Sequence, residues 1–261
     1  MKWPYLYNFT VVIPYINYQF KSSVWRLEID ALSEMIFVEV REPADKKVYF
    51  SSISLDNGHV FFEELQTEER WLTGIETAYD GVLLLHNYQS EAGPAHKGLI
   101  AVNGTNGHII WSNYNYAFDH LSANGPVVYD TRMQPHELFL SDIRTGAMQR
   151  PYNPVIDTEM NNYLSLPRLV SPEFLASLPI KTTSFGNTAH YLEYNNFRII
   201  SLHAFAGGGL EQRLYILRGD DIVYEDFLNT DIQKLQPEAF LMQKDHLIYL
   251  KNKSKLVVLN L

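Results

Sequence analysis

An all-β fold, a five-bladed β-propeller whose N- and C-terminal strands close one blade, is predicted by three observations on this 261-residue sequence. A short marker recurs along the chain: a turn residue, three mostly apolar positions, then usually an aromatic. Apolar runs of strand length, bounded by Gly, Asn and Asp turns, precede the markers, and no convincing amphipathic helix interrupts them. Aromatic residues make up 13% of the chain, with 17 Tyr and 14 Phe, and flat rings suit a pleated, half-buried surface.

The marker reads Gly58-His59-Val60-Phe61-Phe62, Gly107-His108-Ile109-Ile110-Trp111 and, more weakly, Asp220-Asp221-Ile222-Val223-Tyr224. Gly146 to Arg150 holds the same place without the aromatic, and Lys21 to Trp25 resembles an earlier copy. The last residues of successive copies are 37, 49, 39 and 74 positions apart, against about 40–45 for a four-stranded propeller blade. Asp56-Asn57-Gly58, Asn106-Gly107 and Thr145-Gly146 stand where a tight hairpin needs positive φ. The resulting blades span about 31–65, 71–114, 115–152, 181–227 and 235–261, the last closed by Trp25 to Ile29 so that no sheet edge stays open.

Ala101, Gly107 and Trp111 match a blade signature that runs Ala-x-Asp-x-x-Thr-Gly, three residues, Trp, with Asn103 and Asn106 in place of Asp and Thr. Asp142, Thr145 and Gly146 match it in the next copy, where Arg150 replaces Trp. This stretch resembles the quinoprotein (pyrroloquinoline quinone) repeat family, and the resemblance implies a propeller whose signature residues lock neighbouring blades. It covers one blade and part of another, so it does not extend to quinone or calcium. The whole chain also resembles an uncharacterised bacterial propeller-like domain family, which implies no activity.

The chain is expected to be a single domain, 1–261, with two segments outside the repeat. Residues 1–22 form an arm with period-two apolar positions at Trp3, Tyr5, Tyr7, Phe9, Val11 and Ile13. Residues 153–180 form a lid-like insertion carrying Pro154, Pro167, Pro172 and Pro179, with a short helix at Ser171 to Leu178 that Ser171 could cap.

Charge narrows the partners. A net charge of −9 repels nucleic acid and anionic membranes. No run approaches the roughly 18–20 apolar residues of a membrane span. Zero cysteines exclude thiolate chemistry and disulfides, and with no signal peptide legible at the N-terminus they lead to an expected cytoplasmic location.

Propeller loops opening on one face gather an expected ligand-binding set: Arg70, Trp71, Glu76, Tyr116, Asp119, His120 and His136, with His96, Tyr114, Arg132 and Arg213 around them. Rings mixed with both charges suit a polar ligand. The nine histidines form no His-x-x-x-His pair, so neither a metal nor another cofactor is expected, although a site built from loops would leave no such spacing. His86 and His203 lie within strands and read as satisfied core groups, whereas His120 and His190 could meet at the channel. The functional expectation is a non-enzymatic scaffold for a small polar ligand or a protein segment. The alternative is a propeller-type glycan hydrolase using Glu76, Asp119 and Glu193 or Glu238.

Overall fold

A computed structural model describes residues 12–91 and 93–261. The described residues are all-β apart from one short 3-10 helix, and they divide into two compact units, Phe20–Tyr163 and a second made of the N-terminal segment to Gln19 with Leu164–Leu261. β1 (Pro14–Gln19) belongs to the second unit.

The Phe20–Tyr163 unit holds three four-stranded antiparallel sheets, each a simple up-and-down run. The first is β2 (Ser23–Asp30), β3 (Met35–Glu42), β4 (Lys47–Ser54) and β5 (Val60–Leu65). The second is β6 (Thr73–Tyr79), β7 (Val82–Ser90), β8 (Gly93–Asn103) and β9 (Ile109–Asn113). The third is β10 (Tyr116–Ser122), β11 (Gly125–Asp130), β12 (Phe139–Ser141) and β13 (Met148–Pro151).

Period-two alternation explains how these sheets stack. On β7, Leu83 and Leu85 pack with Phe37, Phe50, Ile75 and Val102 against the first sheet. Val82 and Leu84 point the other way and pack with Leu99, Ala101, Val128 and Ile143 against the third. Both faces of the strand are apolar because both are covered, and each fully buried Leu contributes about 1.5–3 kcal/mol.

The marker has a physical meaning in this stack. Ser54, Asn103 and Asp142 each accept a hydrogen bond from the amide four residues on, at Gly58, Gly107 and Gly146. Each of the three also donates its own amide to the carbonyl after that glycine. The three glycines have φ of 74°, 72° and 72°, the left-handed conformation that a side chain strains. The marker aromatic of one sheet then rests on the glycine of the next. A Cβ on Gly107 would come within 3.3 Å of Phe62, and one on Gly146 within 2.7 Å of the Trp111 ring, whose Nε1 donates to Ile143 O at 2.8 Å.

The second unit holds two five-stranded antiparallel sheets. Its further strands are β14 (Leu164–Ser165), β15 (Arg168–Val170), β16 (Ala189–Tyr194), β17 (Phe197–Ala206), β18 (Gly209–Arg218), β19 (Asp221–Ile232), β20 (Phe240–Gln243), β21 (His246–Lys251) and β22 (Lys255–Asn260). One sheet runs β15 to β19 in order, and the other runs β1-β22-β21-β20-β14. Ile199, Leu214 and Ile216 of the first pack against Met242, Leu247, Val257 and Leu259 of the second.

An N-terminal strand does complete the C-terminal sheet, but it is Pro14–Gln19 and not Trp25 to Ile29. The reason is local. Asp30 accepts the amides of Leu32 and Ser33, which turns the chain at 31–34 and pairs β2 with β3 directly. The expected arm positions from Trp3 to Val11 lie outside the described residues, and Ile13 is exposed. Within 153–180, β14 and β15 add two- and three-residue edges to existing sheets. The helix is a single 3-10 segment, Pro172–Ser177, and Ser171 makes no side-chain cap bond to it. Leu175, Leu178 and Ile180 instead pack on the Ile200, Leu202 and Tyr215 face of the sheet.

Gly146→Ala should therefore destabilise the protein by about 1–3 kcal/mol, since it combines a strained backbone with overlap onto Trp111. Chemical denaturation checks this, and an unchanged midpoint would remove the proposed role of the glycine–aromatic contact.

Candidate functional site

A bulge interrupts the first strand of several sheets at corresponding places. The register skips one residue at Trp25 in β2, Glu76 in β6 and Asp119 in β10, and at Tyr15 in β1 of the other unit. A bulge re-aims the extra side chain, and here two of the re-aimed residues are carboxylates.

Glu76 is held in place from behind. Arg26 Nη1 and Nη2 donate to the carbonyls of Ile75 and Glu76 at 2.9 Å each. Glu39 Oε2 accepts the Ile75 amide at 2.9 Å, and Glu39 Oε1 pairs with Arg41 Nε at 2.7 Å. Arg41 in turn donates to Thr73 O at 3.0 Å and lies over the rings of Trp25, Trp71 and Tyr88. Backbone groups of β6, an edge strand with a ladder partner only on its β7 side, are thus satisfied by side chains of the neighbouring sheet.

The Glu76 carboxylate faces two imidazoles. Oε2 lies 3.0 Å from His86 Nδ1 and 2.9 Å from His96 Nδ1, and the two rings stack with centroids 3.5 Å apart and planes 8° apart. A second irregularity makes the stack. Gly98, at φ 68°, is the extra residue where β8 slips against β7, so His96 pairs with Tyr88 while Leu99 pairs with His86. Tyr88 closes the group edge-on to both rings. Burial alone would raise the Glu76 carboxyl, and the two imidazoles outweigh it and hold the group below the usual carboxylate range. Donor atoms of Glu76, His86 and His96 all lie within 4.8 Å of one another, a spacing that could hold a metal ion.

His86 is therefore not the satisfied core histidine expected from sequence. It is 1% exposed, its Nδ1 meets a carboxylate and its Nε2 has no hydrogen-bond partner. His203, also buried within a second strand, does fit that expectation: its Nε2 accepts the Gln236 amide at 3.0 Å. His190 Nε2 donates to Pro237 O at 3.0 Å in the same unit.

A separate cavity of about 500 Å³ lies among the first strands of the three sheets. Glu28 and Asp30 of β2, Thr77 and Tyr79 of β6, and His120 of β10 line it, with Tyr152 and Glu159 from the segment after β13. Asp30 is spent on structure, accepting from the turn at 32–33 and from Gly81 N at 2.6 Å. Burial pushes the Glu28 carboxyl up, against the opposing pull of Arg26 at 3.1 Å. The wall at 152–162 is anchored by Asp157, which pairs with Arg150 at 2.5 and 2.6 Å and accepts from Asn153 N and Asn124 Nδ2 at 2.9 Å each. The Arg150 guanidinium holds its carboxyl far below the usual range.

The seven residues expected to bind ligand do not form one group. His120 lines the cavity and pairs with Asp119 at 2.6 Å. Glu76 belongs to the histidine cluster, and Trp71 stacks on Arg41. Tyr116 packs on the core between the second and third sheets. His136 is exposed and stacks on Tyr129, and the Arg70 carbonyl accepts Val48 N while its side chain faces solvent. Of the carboxylates considered for hydrolysis, Glu193 accepts from Tyr191 OH in the second unit, where the Glu238 carbonyl accepts from Gln212. Sequence reading missed the His86–His96 pair, because ten-residue hairpin spacing carries no metal-ligand signature.

Two outcomes follow from these anchors. Glu39→Ala leaves Arg41 buried without its partner and should cost about 3–5 kcal/mol in denaturant unfolding, part of which a second change, Arg41→Met, restores. Asp157 has a depressed folded-state pKa, so its contribution is present above the ordinary carboxylate value and lost as pH falls through the lowered one. Asp157→Asn should therefore lower the melting temperature at pH 7 and flatten its acid limb below about pH 4; an unchanged acid limb would contradict the assignment.

The model of a domain family of unknown function, DUF4905, matches residues 29–111, about a third of the chain, including Glu76, His86 and His96. No curated protein matches the sequence. Among solved structures, the chain is similar to an endo-arabinase from Bacteroides thetaiotaomicron at 12% identity and TM-score 0.26, over 96% of each chain. It is also similar to the Dos1 propeller at 8% identity and TM-score 0.20, over 95% of this chain and 76% of the other. Neither likeness is close enough to carry an activity to this chain. No helix among the described residues is long and apolar enough to cross a membrane.

Proposed function

We propose that the five sheets are the blades of a single propeller and that the protein is a non-enzymatic scaffold binding a small polar ligand. The observation that carries this reading is the cavity lined by the first strands of three successive sheets, the position that innermost blade strands take around a propeller channel. Its chemistry specifies the ligand class. Glu28, Asp30 and Glu159 line the cavity together with Tyr79, Tyr152 and His120, and among the described residues no Lys or Arg does. Rings beside carboxylates suit a cationic or polyhydroxylated molecule, with hydroxyls or ammonium groups donating to the acids, and they disfavour an anion. Quinone binding has no support beyond the Trp111 and Gly146 signature, which is occupied in packing.

Glu28 favours a second reading. A carboxyl raised by burial, in a cavity that also holds Glu159, has the pairing of acid and base that glycan hydrolysis needs.

Calorimetry against neutral oligosaccharides, polyamines and dicarboxylates tests the scaffold. Saturable binding of one of the first two classes is expected, weakened about tenfold or more by Tyr152→Ala or Glu159→Gln, with the ligand recovered intact. Tightest binding of dicarboxylates, or no binding at all, would overturn the proposal. Release of reducing sugar, abolished by Glu28→Gln, would replace the scaffold with the hydrolase.

A further inference from the structure

We infer that Glu76, His86 and His96 form a binding site for a zinc-class divalent metal ion, held by two imidazole nitrogens and one carboxylate oxygen. None of the three lines the cavity, so the site stands independently of the ligand proposed there.

Four observations carry the inference. First, the donors converge: both Nδ1 atoms lie about one contact distance from the same carboxylate oxygen, at 3.0 and 2.9 Å. Ligands on a tetrahedral ion at 2.0–2.1 Å stand about 3.3 Å apart, so the two nitrogen–oxygen edges need only a few tenths of an ångström of expansion, while the stacked rings must rotate apart for both in-plane lone pairs to meet one ion. Second, His86 is buried, its Nδ1 is answered only by Glu76 Oε2 at 3.0 Å and its Nε2 has no hydrogen-bond partner. A buried imidazole met on one side only is costly, and a metal ion bound at Nδ1 offsets part of that cost. Third, two independent backbone irregularities, the bulge at Glu76 and the slip at Gly98, bring the donors to one place. Gly74 adds room on the far side, since a Cβ there would come within 3.1 Å of His86 Nε2. Fourth, the cluster is reachable: the His96 side chain is 33% exposed, whereas that of His86 is 2% exposed.

Two nitrogens and one oxygen match the borderline preference of zinc and its first-row neighbours better than that of calcium or magnesium, which take oxygen ligands. Three protein ligands leave a fourth position for water or a ligand atom. Arg26, which grips the Glu76 carbonyl, and Tyr88, edge-on to both rings, orient the donors without ligating.

The competing arrangement is a metal-free one, in which Glu76 accepts a hydrogen bond from Nδ1–H of each imidazole. The test uses untagged full-length protein stripped with chelator, titrated with Zn²⁺ by calorimetry and with Co²⁺ by visible absorption. The inference expects one equivalent of either ion, a Co²⁺ spectrum of low coordination number with nitrogen ligands, and a higher melting temperature with Zn²⁺. His96→Ala and Glu76→Gln should each weaken Zn²⁺ binding by at least about tenfold. His96→Ala is the decisive variant because that ring is partly exposed, and its folding is verified by circular dichroism. Absence of saturable one-to-one binding, or unchanged affinity in folded His96→Ala, would overturn the inference.

Discussion

The arrangement of the Phe20–Tyr163 unit depends on a buried ion pair that does backbone work. Glu39 and Arg41 sit two residues apart on β3, on one face of the strand, and both reach across to β6. Stacked sheets meet through side chains, so the edge strand β6 has no ladder partner for its outward amides and carbonyls. Glu39 takes the Ile75 amide, Arg41 takes the Thr73 carbonyl, and Arg26 from β2 takes those of Ile75 and Glu76. A buried pair is seldom a net gain over apolar packing. Here it also fixes where β6 bends, and the bend aims Glu76.

Much of the fold was legible because it is written in local chemistry. Asn-Gly and Thr-Gly turns, strand-length apolar runs and the recurring aromatic are set by residues a few positions apart. They placed the sheets at 71–114 and 115–152 within a few residues of the observed strands. The contact of Phe62 with Gly107 and of Trp111 with Gly146 explains why turn glycine and aromatic recur together, since each aromatic needs the next sheet's glycine to lie flat upon. The closing strand was misassigned because β1 and β2 both alternate. Only the Asp30 turn, a side-chain effect on three residues, decides which of them pairs with β3.

The candidate sites were legible in part. Glu76, Asp119 and His120 were singled out by their positions near the start of first strands, and register skips lie at Glu76 and Asp119. What could not be read was which way they point. One extra residue in a strand reverses the face of every side chain beyond it, and Gly98 is such a residue with no sequence signature beyond being glycine. His86 and His96 meet through that slip, while His203, alike in sequence context, meets a backbone amide and is satisfied.

The claim on which these assignments rest is that side chains of the first sheet satisfy the bulged backbone of β6. Native-state hydrogen exchange at the Ile75 amide measures it most directly. The account predicts protection in the wild-type protein comparable to that of the β7 amides, falling to near the unprotected rate in Glu39→Ala while β7 stays protected. Rapid exchange at Ile75 in the wild-type protein would contradict it.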